Sequence, residues 1–126
     1  MLTKKLHKIT SKEMTFVKKG WGHELWIVNK PQYCGKILTL YRSKKCSEHF
    51  HKRKDETFFL QSGKIFLRVK EKESEPFQEW ILEPGDAFHL TPGLIHQFEG
   101  IAEESQIFEF STEHFEEDSY RLVKGD

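Results

Sequence analysis

The stretch SEHFHKRKDETFFLQSG, residues 47–63, decides how this chain is read. It carries His49, His51 and Glu56 close together and then passes into a run of aromatics and a glycine. Residues two apart on a strand point to the same face, with Cα atoms about 6.6–7 Å apart. The two imidazoles of His49 and His51 can therefore converge on one ion. Glu56 follows at a spacing that lets the chain bend and return a carboxylate to the same side. The bland alternative is a polar turn with two incidental histidines. A metal site needs donors from elsewhere, and His96, just beyond the turn in LTPGLIH (90–96), is the fourth candidate. Three nitrogens and one carboxylate oxygen suit a divalent first-row metal without choosing among Mn, Fe, Ni and Zn.

The surroundings of this stretch are strands. ETFFLQ (56–61) and KIFLRVK (64–70) flank Ser62-Gly63, which reads as a hairpin turn because Gly accepts positive φ. MTFVKK (14–19), ELWIVN (24–29) and GKILTLYR (35–42) precede them. FQEWIL (77–82), DAFHL (86–90), HQFEGI (96–101), SQIFEF (105–110) and SYRLVK (119–124) follow. Short alternating runs broken by Gly, Pro and charged clusters predict an all-β sandwich or barrel. With 126 residues the expectation is a single domain, 1–126. Residues 1–13 read as an arm or a short helical turn, and 111–126 as an acidic tail packed on the barrel.

Composition narrows the function classes. The formal net charge is zero, which argues against a nucleic-acid partner. Residues 1–54 hold 14 Lys+Arg and 3 Asp+Glu, whereas residues 55–126 hold 6 and 17. That asymmetry suits two attracting edges of one domain, a subunit contact, or a basic mouth for an anionic substrate. No apolar run approaches the roughly 20 residues that span a bilayer. The start, MLTKKLHKIT, lacks the apolar core of a signal peptide. The expectation is a cytoplasmic protein whose Cys34 and Cys46 stay reduced as small buried hydrophobes. A homodimer is expected from the barrel edges.

The spacing His49-x-His51-x4-Glu56-x6-Gly63, followed by Gly85-x6-Pro92-x3-His96, resembles the two-part signature of the cupin superfamily, G-x5-HxH-x3,4-E-x6-G and G-x5-PxG-x2-H. The sequence departs from it at turns: Ser43 stands where the first Gly would fall, one residue is extra before Pro92, and Pro92-Gly93 are adjacent. The resemblance implies a double-stranded β-helix, or jelly-roll, barrel with His49, His51, Glu56 and His96 meeting inside. KKGWGHELWIVN (18–29) also resembles the W-G-x-E start of cupin-type sugar-phosphate isomerases, of the phosphomannose isomerase type II kind. DSYR (118–121) resembles small cupins of nonulosonic acid or nucleotide-sugar pathways.

From these resemblances follow the chemical expectations. A metal with two open positions would hold the C1 and C2 oxygens of a sugar or sugar phosphate as a Lewis acid, and a base would move one proton between carbons. Glu24 is the first candidate base and His23 the second. Lys36 shares a face with Leu38 and Leu40, and a Lys on a core face is costly unless it reaches a partner or a ligand. Lys54 is expected to reach inward, Arg121 to bind a carboxylate or phosphate, and Trp21 to wall the sugar ring. His89 reads as a structural or rim residue, and His114 has no assigned role. The rival readings are a non-catalytic carbohydrate-binding or accessory cupin and a mononuclear iron dioxygenase.

Overall fold

The computed structural model describes residues 6–126, so the first five residues of the expected arm lie outside it. Eleven strands follow a 3-10 turn at Ser11–Glu13. They are β1 (Thr15–Lys19), β2 (Gly22–Lys30), β3 (Tyr33–Tyr41), β4 (Glu48–His51), β5 (Glu56–Ser62) and β6 (Ile65–Lys70). After these come β7 (Gln78–Leu82), β8 (Ala87–Leu90), β9 (Ile95–Gly100), β10 (Glu104–Ser111) and β11 (Ser119–Val123). Two sheets form, in the orders β1-β2-β3-β10-β5-β8 and β11-β4-β9-β6-β7. Every strand pair is antiparallel. This is the jelly-roll barrel, and its strands coincide closely with the alternating runs. No helix among the described residues is long and apolar enough to cross a membrane.

The inward faces supply the core. Leu38 and Leu40 of β3, Phe58 and Leu60 of β5, Ile65 and Leu67 of β6, Phe98 of β9 and Ile107 of β10 are all buried in one cluster. Each large side chain so buried contributes about 1.5–3 kcal/mol. Cys34 and Cys46 are buried free thiols.

One expectation fails. Ser62-Gly63 does not close a hairpin, because β5 pairs with β10 and β8 while β6 pairs with β7 and β9 in the other sheet. The break is a corner at which the chain changes sheets. Gly63 takes φ +89°, and a methyl there would run into the Ser105 hydroxyl and the Glu104 carbonyl. The Ser105 hydroxyl accepts from the Lys64 N–H at 3.0 Å and donates to the Lys64 carbonyl at 3.2 Å. A Gly between two alternating runs is the same signal for a hairpin and for a corner; the partner strands decide which.

Ser43 is the one non-glycine residue with positive φ among the described residues, at 64°. It occupies the place where the motif would carry glycine. Its backbone takes the left-handed conformation that glycine adopts most easily.

Candidate metal centre and cavity

β4 and β9 are neighbours with His49 directly opposite His96. This single register pairing brings the two halves of the motif together. The ring centroids of His49 and His96 lie 4.3 Å apart, and those of His49 and His51 5.1 Å apart. One ligand nitrogen from each of His49, His51 and His96 lies within 4.8 Å of the others, so the three can hold a metal ion. Glu56, at the start of β5, reaches across from the other sheet. Its Oε2 lies 3.4 Å from Nε2 of His51 and 3.4 Å from Nε2 of His96.

The orientation of each ring is fixed from behind. Nδ1 of His49 donates to the Ser47 carbonyl at 2.9 Å, Nδ1 of His51 to the Asp118 carbonyl at 3.1 Å, and Nδ1 of His96 to the Leu94 carbonyl at 2.9 Å. A carbonyl only accepts, so each Nδ1 carries the hydrogen and each Nε2 keeps its lone pair. Nε2 of His96 is buried with no hydrogen-bond partner among the described residues. Burial lowers all three imidazoles, His51 to about 3 and His96 to about 4, so the rings are neutral. Burial and the neighbouring Glu109 hold Glu56 above the ordinary carboxylate range. Three neutral imidazoles and a buried carboxyl make a donor set that fits a divalent cation.

Two outer contacts lock this arrangement. The Gly93 N–H donates to the His51 carbonyl at 2.7 Å, tying the Thr91-Pro92-Gly93 turn to β4. Asp118, 1% exposed, accepts from the main-chain N–H groups of Lys52, Arg53 and Lys54 at 2.9, 3.1 and 3.0 Å. Burial alone would raise its pKa, but these three amides outweigh that and hold it low. The acidic segment after β10 is therefore bound into the site through Asp118.

A cavity of about 440 Å³ opens beside the histidines. Trp21, Leu38, Phe58 and Phe98 line its apolar part, and Trp21 meets Phe98 edge-on at 5.0 Å. Glu24, Lys36, Lys54, Glu109 and Arg121 also line it. Lys36 lies 3.5 Å from Glu24, whose Oε1 accepts from the Trp26 indole N–H at 2.7 Å. Lys36 also sits over the Trp26 ring, 4.1 Å from its centroid. Lys54 is 3.0 Å from Glu109 and 3.8 Å from Glu56. Burial lowers Lys54, but Glu109 and Glu56 outweigh it and keep the ammonium charged. Burial pushes Glu109 up, yet Lys54 and Lys36 prevail and keep it ionised. Arg121 stands opposite His49 on β11.

Most of the residues singled out from the sequence thus face one space. His23 does not. It lies on the other face of β2 from Glu24, its ring 4.9 Å from Phe16 and 6.3 Å from Tyr41, and it does not line the cavity. Strand alternation separates it from its neighbour. His89 contacts Asp55 at 2.6 Å, away from the cavity. Sequence reasoning missed Glu109, His114 and Asp118. Glu109 carried a signal, since it shares a face of β10 with the buried Ile107, the same anomaly that flagged Lys36. His114 carried none, because its segment has no periodicity; Asp118 opens the DSYR stretch, which marked the place without giving Asp118 a role.

Comparison with known proteins agrees with this geometry. The cupin domain family matches residues 37–109, more than half of the chain. D-lyxose ketol-isomerase of Cohnella laeviribosi is 33% identical, covering 68% of this chain and 58% of the relative. D-lyxose/D-mannose isomerase of Thermosediminibacter oceani is 31% identical, covering 73% and 62%. The chain therefore spans only about three fifths of the length of these relatives. Among solved structures, the capsular polysaccharide assembling protein CapF of Staphylococcus aureus superposes with a TM-score of 0.78 at 17% identity, over 87% of this chain and 34% of that one. The chain belongs to the cupin domain family.

Proposed function

We propose that this cupin is a metal-dependent isomerase that interconverts an aldose, free or phosphorylated, with its ketose. The observation that carries the reading is one cavity lined by two unlike groups. His49, His51 and Glu56 line it with His96 beside them, and the Glu24–Lys36 pair lines the same space. The names of the relatives support the same class of substrate.

His49, His51, Glu56 and His96 would hold the ion. Once bound there, a divalent ion supplies Lewis-acid polarisation of sugar oxygens. The chain's own residues do the rest. Glu24 takes the proton from C2 of the aldose and returns it to C1, while the hydroxyl proton passes from O2 to O1. The Trp26 N–H and Lys36 fix the carboxylate for this transfer. Lys36 adds positive charge where the substrate turns anionic. Trp21, Leu38 and Phe98 pack against carbon and exclude water. Arg121 lines the same cavity and takes a phosphate when the substrate carries one.

The test is turnover. Chelated protein is reloaded with Mn²⁺, Fe²⁺, Ni²⁺ or Zn²⁺ and given D-lyxose, D-mannose and their phosphates in D₂O. Ketose with solvent deuterium at C1 is expected for at least one pairing, without O₂ uptake. Glu24→Gln should lower kcat by about a hundredfold or more. Substrate-dependent O₂ consumption would instead make the protein an oxygenase. Thermal stabilisation by sugar with no turnover would make it a binding domain.

A further inference from the structure

One cavity-lining histidine takes part in neither the metal centre nor the proton transfer. His114 lies between β10 and the second 3-10 turn, Glu116–Asp118. Its main chain is anchored twice to one side chain of β2. The Asn29 amide donates to the His114 carbonyl at 3.0 Å, and the His114 N–H donates to Asn29 Oδ1 at 2.8 Å. The ring packs edge-on against Trp26, with centroids 5.0 Å apart. Its side chain is only 8% exposed.

The tautomer is set by geometry. Nε2 lies 2.9 Å from Glu116 Oε1, and a carboxylate only accepts, so Nε2 carries the hydrogen. Nδ1 keeps its lone pair. It is buried and has no hydrogen-bond partner among the described residues. Burial, together with Lys54 and Lys36, holds the ring below its ordinary pKa and therefore neutral. The loop thus positions an acceptor that nothing in the fold uses, beside the space where a substrate would sit.

We propose that His114 is a substrate-contacting residue whose Nδ1 accepts a hydrogen bond from a hydroxyl group of the sugar. The inference rests on the sugar-isomerase reading above. It also sets a substrate class for this wall of the cavity. A hydroxyl donates, whereas a phosphate or carboxylate oxygen would bring its lone pair against another lone pair. The part of the substrate that meets His114 is therefore the uncharged, hydroxylated part.

Two variants test this in Mn²⁺-loaded protein with D-lyxose, D-mannose and their monodeoxy analogues as probes. His114→Phe keeps the aromatic contact with Trp26 and removes both nitrogens. His114→Asn keeps a short side chain with an accepting oxygen. His114→Phe should lower kcat/KM by about ten- to a hundredfold, and His114→Asn should restore it to within about threefold of wild type. Mn²⁺ affinity and unfolding midpoint should stay at wild-type values in both. Removing the contacted hydroxyl from the sugar should penalise wild type and cost His114→Phe nothing further. Wild-type kcat/KM in His114→Phe would overturn the proposal. So would a loss in both variants that tracks lost Mn²⁺ affinity, since that is a structural role. Should His114→Phe fail to fold, His114→Leu, which also lacks an acceptor, and the deoxy analogues give the same decision. A wild-type protein that neither binds nor converts any aldose would fail one step earlier, at the function itself, and the inference would fall with it.

Discussion

The two ends of the barrel are built from the same strands and have opposite characters. Along β3 the inward residues run Leu40, Leu38, Lys36; along β5 they run Leu60, Phe58, Glu56; along β10 they run Ile107, then Glu109. Each strand changes from apolar to charged while its alternation continues unbroken. The apolar end supplies the burial that holds the sheets together. The polar end buries charges that contribute little to stability and are tolerated because each meets a partner. Lys36 and Glu109 are register neighbours, and Lys54 meets Glu109 at 3.0 Å. The division teaches that a strand pattern can be uniform while its work is not.

The largest effect should come from separating a charged pair at the polar end. Lys54→Met leaves Glu109 buried without its closest cation and should cost about 3–5 kcal/mol in a urea unfolding curve. Lys54→Met with Glu109→Leu should recover most of that loss, or exceed wild type, while losing activity. If the single and double variants unfold alike, the charges are not balanced in the way described.

At the apolar end, Leu60→Ala should cost about 2–5 kcal/mol through the cavity it opens. The folded fraction should keep its metal affinity, which a titration in mild conditions measures. Loss of metal binding in proportion to stability would mean that the two ends are not separable.

His96→Ala reverses those outcomes. One ligand of four should account for about a quarter of a binding energy of about 12 kcal/mol, so affinity should fall a hundredfold or more. The stability of the chelated protein should move by no more than about 1 kcal/mol, because losing the ring also removes a buried nitrogen that has no partner.

Ser43→Gly is the smallest test, since it touches neither end directly. Relief of the positive φ and the added chain entropy of glycine nearly cancel, so stability should shift by less than about 1 kcal/mol. A larger gain would show that the fold carries strain there.

Much of the barrel was legible in the sequence, and the reasons are local. Leu38 and Leu40 against Ile37 and Tyr41 gave β3 its inward face before any partner was known. The same alternation exposed Lys36 as a charge on a core face. It could not separate a hairpin from a corner at Ser62-Gly63, because both need the same residues. The W-G-x-E resemblance put His23 and Glu24 side by side as candidate bases, although strand geometry places them on opposite faces. His114 and Asp118 lay beyond reach, because an aperiodic segment says nothing of where it docks.

What the sequence determined by itself is the set of candidate donors and the alternation that aims them inward, since both follow from residue type and a two-residue period. The tertiary structure alone decided that His49 stands opposite His96, that Glu56 arrives from the other sheet, and that Asn29 holds His114 at the cavity. Those are pairings across long separations in the chain. They are set by which faces can be buried together, and no local spacing contains that information.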